Sequence, residues 1–108
     1  MSPEQLKGHL DPLLLAILER GPAHGYAIIE QLRVRSGGAF DLPEGTIYPA
    51  LHRLEHRGVV TSQREVIAGR ERRVYRLTAR GRTALEERRA GWSDFAVAVN
   101  LVLGVNPA

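Results

Sequence analysis

The chain has 108 residues, 44% of them apolar and 25% charged, a balance that suits one globular domain with an ordinary core and excludes a disordered chain. It contains no cysteine, which excludes disulfides, thiolate metal sites and a cysteine nucleophile. The net charge of +3 is mild, but its distribution is not: Arg64, Arg70, Arg72, Arg73, Arg76, Arg80 and Arg82 face only Glu65 and Glu71 in the same stretch, which points to a polyanionic partner.

In chain order, Asp11 followed by Pro12 reads as an N-cap with proline at the first helical position, and Leu14, Ile17 and Leu18 then recur at helical spacing until Gly21-Pro22. After a short turn from Pro22 to His24, Tyr26, Ile29 and Leu32 mark a second helix ended by Gly37-Gly38. Pro43 opens a third, with Ile47, Leu51 and Leu54 on one face and Thr46, Pro49, His52, Arg53 and His56 on the other. Because proline has no N–H to donate, this helix is expected to start near Thr46, leaving Pro49 in its first turn.

Val59 to Glu65 and Arg72 to Leu77 alternate β-branched or aromatic residues with polar ones around a turn containing Ala68-Gly69, the pattern of a hairpin with an arginine-rich tip. Thr78 can cap a last helix in which Leu85, Trp92 and Val99 repeat every seven residues. Phe95, Ala96, Val102 and Leu103 fill the seam between them. A terminal helix this apolar needs an identical subunit to cover it. The fold expected is therefore mainly α with a small β-hairpin: a winged helix-turn-helix over residues 1–82, then a dimerisation helix over 83–108.

In that architecture the third helix enters the major groove while the basic wing grips the backbone. Thr46, Tyr48 and His52 can hydrogen-bond to phosphates or base edges, and Arg53 can be bidentate to guanine or phosphate. Gly45 and Pro49 allow close approach, and Arg70, Arg72 and Arg73 on the wing would neutralise phosphates or enter the minor groove.

Four ordered segments carry a resemblance that runs from Leu6 to about Leu103: LKGHLD at 6–11, GPAHGY at 21–26, LPEGTIYPALHRLEHRG at 42–58 and RRVYRLTARG at 72–81. In these the chain resembles the PadR-like transcriptional regulators, and among them the short members with a single C-terminal helix. The resemblance implies a homodimeric repressor that binds a partly palindromic operator in double-stranded DNA and is released by a small molecule. It also implies a phosphate contact for Lys7, ahead of the first helix. Some short members bind flat aromatic compounds between helices at the dimer interface, and Trp92 lies where such a pocket tryptophan would be, so a small aromatic effector is expected there. Leu85, Trp92, Phe95, Ala96, Val99 and Leu103 form the expected interface.

Other classes fit less well. His52-Arg53-Leu54-Glu55-His56 matches the H-x-x-E-H pattern of a zinc peptidase class, but no third ligand follows it, and the only other histidines, His9 and His24, lie upstream. No phosphate-binding glycine loop and no Ser/His/Asp arrangement is present, so neither an enzyme nor a cofactor is expected. The alternative that keeps the fold is a winged-helix protein-interaction module without DNA binding, against which the basic wing argues. No secretory signal is recognisable, and Phe95 to Leu103 is interrupted by Asn100 and shorter than the roughly 20 residues of a membrane span, so a soluble cytoplasmic location is expected.

Overall fold

The computed structural model describes residue 6 and residues 8–106. Within them the order is α1 (Leu10–Glu19), β1 (Ala23–His24), α2 (Gly25–Arg35), α3 (Glu44–His56), β2 (Val60–Ile67), β3 (Arg70–Leu77) and α4 (Ala79–Leu103). The three antiparallel strands lie in the order β1-β3-β2. This is the mainly helical winged architecture expected from the sequence, with one strand added. Ala23 and His24 pair with Tyr75 and Val74, where the sequence suggests only a turn; two residues are too few to show any alternation.

The periodic apolar residues meet in one core. Leu14, Leu15, Ile17 and Leu18 of α1 pack with Ile28 and Leu32 of α2, with Ile47, Leu51 and Leu54 of α3, and with Val60 and Tyr75 of the sheet. No polar or charged side chain is buried among the described residues. The hairpin ladder runs to its tip, from Val60 opposite Leu77 to Ile67 opposite Arg70, so both strands are longer than alternation alone suggests. The two-residue connection has φ of 51° at Ala68 and 77° at Gly69. Positive φ at both central residues is the type I′ geometry that matches the right-handed twist of a hairpin.

Two helix starts differ from expectation. His9, not Asp11, stands at the N-cap of α1, and Asp11 falls in the first turn. Its carboxylate is drawn instead into ion pairs with α3. α3 begins at Glu44, so Pro49 is the sixth helical residue rather than one of the first turn. The Pro43 carbonyl starts the helix by accepting from the N–H groups of Thr46 at 3.0 Å and Ile47 at 3.2 Å. Pro49 then leaves the Gly45 carbonyl without its intrahelical donor, a loss tolerable because that end of the helix is exposed.

Thr78 caps α4: its hydroxyl accepts from the Gly81 N–H at 3.0 Å and donates to the Gly58 carbonyl at 2.8 Å. Gly81 lies so close to the Val59 carbonyl that a β-carbon there would collide with backbone. The helix is continuous from Ala79 to Leu103, and Leu85 is buried in the core of the preceding elements. Leu85, in the second turn of α4, thus packs against the elements before it. Further along, Arg88 donates to the Gly8 carbonyl at 2.8 Å, and Arg89 makes a two-pronged pair with Glu19 at 3.1 and 3.2 Å. No helix among the described residues is long and apolar enough to cross a membrane.

Candidate nucleic-acid interface

The core face of α3 fixes its other face by helical geometry. With Ile47, Ala50, Leu51 and Leu54 buried, the side chains of Thr46, Pro49, His52, Arg53 and His56 are exposed together, and Gly45 adds a stretch without a side chain. Tyr48 stands apart from this row. It is half-buried at the flank, its ring pressed against Gly25 at the start of α2, where a β-carbon would overlap the phenol. Burial, with the Glu44 carboxylate second, raises the Tyr48 pKa. Arg53 is held: its Nη2 donates to Asp11 Oδ1 at 2.7 Å, and Arg57 Nη1 reaches the other oxygen of the same carboxylate at 3.4 Å. Lys7 lies outside the described residues.

The wing arginines divide by strand alternation. Arg70 and Arg72 share one face of the hairpin with Val74, whereas Arg73 projects from the other with Tyr75. Arg72 lies with its guanidinium 5.5 Å from the ring centre of Tyr26, a cation–π contact that ties the wing to α2. Arg73 Nη1 donates to Ser62 Oγ at 3.1 Å, and Ser62 donates in turn to Glu55 Oε2 at 2.7 Å, which ties the wing to α3. Arg64 pairs with Glu71 at 3.3 Å and Arg76 with Glu65 at 2.6 Å. Arg70, at the tip, has no carboxylate partner among the described residues.

Where wing, α2 and α3 meet, His24 caps α2 by accepting from the Ala27 N–H at Nδ1, 3.3 Å away. Burial first, and then the neighbouring Arg72 guanidinium, push its pKa below the ordinary histidine value. The nearby Glu44 carboxylate holds the Tyr26 phenol above its usual range. The junction is thus a polar set that keeps Arg72, Tyr26 and the start of α3 in register.

Comparison with known proteins settles the family. The sequence pattern of the Transcriptional regulator PadR-like family matches residues 14–87. Transcriptional regulator Rv3488 of Mycobacterium tuberculosis is 42% identical over 73 residues, 68% of this chain and 65% of that protein. The chain belongs to the PadR-like family of transcriptional regulators. Solved structures agree over nearly the whole length. A PadR family transcription regulator of Clostridium difficile superposes with a TM-score of 0.80 at 35% identity, covering 89% of this chain and 99% of that one. A PadR-like regulator of Bacillus cereus gives 0.84 at 27% identity, covering 95% and 99%. Membership identifies the winged helix as that of a DNA-binding regulator of transcription, and places the chain among proteins that are regulators rather than enzymes.

The polar residues of the H-x-x-E-H segment sit in different environments. His52 and His56 are exposed, while Glu55 is half-buried and accepts the bond from Ser62. Among the described residues no group of three His, Asp or Glu side chains is placed to hold a metal.

The seam of α4 is divided. Leu85, expected at the interface, is only 2% exposed because it belongs to the core. Trp92 and Phe95 are more than half exposed, with ring centres 6.0 Å apart, and His9 stands edge-on to Trp92 at 5.2 Å. Ala96 and Val99 are half-buried and Leu103 is exposed. Val97 and Leu101 are exposed on the opposite side of the helix, outside the face that the heptad spacing picks out. Asp11 and Tyr26 were missed in the sequence. Both act on partners distant in sequence, which local patterns do not encode.

Proposed function

We propose that this PadR-like regulator is a cytoplasmic, sequence-specific repressor that binds a partly palindromic operator as a homodimer and is released by a small molecule. The observation that carries this reading is the exposed row Thr46, Pro49, His52 and Arg53 on α3, beside a wing whose arginines are oriented by contacts to α2 and α3. In it α3 enters the major groove, with Tyr48 at its flank. Arg70, Arg72 and Arg73 contact the backbone on both sides of the wing, and Lys7 contacts a phosphate ahead of α1. Residues 1–82 bind DNA, and the helix from 83 onward supplies the dimer seam through Trp92, Phe95, Ala96, Val99 and Leu103.

An effector site built on Trp92 is completed by the second subunit. One open groove among the described residues, of ≈ 550 Å³, is lined by Arg57, Val59, Arg80, Thr83, Ala84 and Glu87, none of them seam residues. A flat aromatic molecule stacked on Trp92 would favour one spacing of the two α3 helices over another, and linkage turns that preference into a change of DNA affinity. The test is binding of the purified protein to the DNA upstream of its own gene at two salt concentrations, with footprinting. Two protected half-sites about 10 base pairs apart, weakening steeply with salt, support the repressor. Absence of specific protection there and in a random-sequence selection removes the DNA reading.

A further inference from the structure

We propose that Asp11 sets the sequence discrimination of α3 by keeping Arg53 and Arg57 from acting as phosphate clamps, so that Arg53 is offered to base edges. The inference rests on the reading of α3 as the recognition helix. One carboxylate spans two guanidinium groups a helical turn apart, at 2.7 Å from Arg53 and 3.4 Å from Arg57. The partners differ in exposure: the Asp11 side chain is 20% exposed, against 50% and 61% for the arginines. The acid is therefore the fixed member. It stands in the first turn of α1, three residues before the buried Leu14, whereas Arg53 reaches to it from the outer side of α3 and Arg57 from the position that closes that helix.

With both guanidinium groups half or more exposed to solvent, such pairs contribute little to stability, so holding the fold together is a weak reason for this arrangement. Beside a polyanion it has a larger effect. A phosphate approaching Arg53 meets a carboxylate of its own sign on the same guanidinium and gains little, while a base edge carries no net charge and is not repelled. Asp11 occupies one Nη2 donor and leaves the remaining N–H groups of Arg53 in a fixed plane, the fork that matches guanine O6 and N7. It also limits the rotamers of a side chain that would otherwise wander among nearby phosphates. Asp11 is a positioning residue: it touches no DNA and acts through Arg53 and Arg57.

The experiment uses a duplex selected by the wild-type protein from a random-sequence pool and a scrambled duplex of equal length. Binding of wild type, Asp11→Asn, Arg53→Gln and the double variant is measured between about 50 and about 300 mM salt. Asp11→Asn is expected to bind the scrambled duplex about tenfold tighter at low salt, with a log–log salt slope steeper by about 1 to 2. Its preference for the selected duplex falls about tenfold, and the double variant loses no more preference than Arg53→Gln alone. Its melting temperature stays near that of wild type; should the asparagine variant fail to fold, Asp11→Ser carries the same expectation. If both affinities drop together, or if preference and salt slope are unchanged, Asp11 is a structural strut and the proposal is overturned. Wild-type protein that selects no sequence removes this inference along with the DNA reading; selection by wild type with an indifferent Asp11→Asn removes this inference alone.

Discussion

The winged body and the distal half of α4 expose opposite kinds of surface. The exposed surface of the body carries many charged side chains, and several of its arginines are tied to a neighbour: Arg53 to Asp11, Arg73 to Ser62, Arg76 to Glu65 and Arg72 to the ring of Tyr26. On the distal helix Phe95, Val97, Leu101, Val102 and Leu103 are all more than half exposed. The helix itself does not change between the two. Leu85 and Trp92 lie one heptad apart on the same face, and what separates 2% from 55% exposure is whether the body lies opposite. Each surface therefore suits a different partner: oriented cations match a polyanion, and a free apolar helix end matches a copy of itself.

Leu85→Ala tests the body side of that division and has the largest expected effect. Opening a cavity among α1, α3 and the sheet should cost about 2 to 5 kcal/mol in denaturant unfolding. The loss should not depend on protein concentration, because the missing contacts lie within one chain. Leu103→Asp, on the seam face of α4, tests the other side. We expect the dimer to weaken at least about tenfold by analytical ultracentrifugation, and the melting temperature to lose its concentration dependence while the monomer keeps its helical circular dichroism. A dimer that survives this change would mean that the seam does not run through this face of the helix.

Within the body the contrast between a free and a tied arginine can be sharpened. Arg70→Ala should reduce the salt slope of DNA binding by about 1, weakening all sequences alike. Arg76→Ala, whose guanidinium is already paired with Glu65, should leave the slope nearly unchanged. Equal slopes for the two variants would show that the ion pairs do not govern which arginines meet phosphate.

The smallest effect concerns His24. Its folded-state pKa lies below the ordinary value, so the unfolded chain takes up a proton first as pH falls. The stability it contributes is present above about pH 6.5 and is lost as pH drops through the folded-state value, when Nδ1 can no longer accept from Ala27. Melting temperatures between pH 8 and pH 5 should show this decline beyond the general acid effect, and His24→Asn, which keeps a capping acceptor, should flatten it.

The parts of the molecule readable in the sequence are those governed by short-range rules. Ile47, Leu51 and Leu54 recur at helical spacing and so fix both faces of α3, and Ala68-Gly69 marks the turn from which both strands extend. Thr78 caps α4 as its position suggests. Where a short-range rule competed with a distant partner, the distant partner won. Asp11-Pro12 has the form of a helix start, yet the carboxylate bonds to a residue 42 positions away. Arg70, Arg72 and Arg73 look equivalent in the chain and become different once alternation sends them to two faces with different neighbours. Tyr48 reads as a hydrogen-bonding residue beside the α3 row, and the place that Gly25 opens for its ring shows only in the fold.

The direct passage from β3 through Thr78 into α4 gives the molecule a lever. Twenty-five residues without a break make a rod of about 37 Å, welded at one end to the wing and carrying Trp92 and Phe95 toward the other. Rigid rods convert angle into distance: a tilt of about 5° at the seam displaces the far end by about 3 Å. With no hinge between them, a ligand that re-angles two crossed rods need not deform either winged body to carry their α3 helices out of step with the groove.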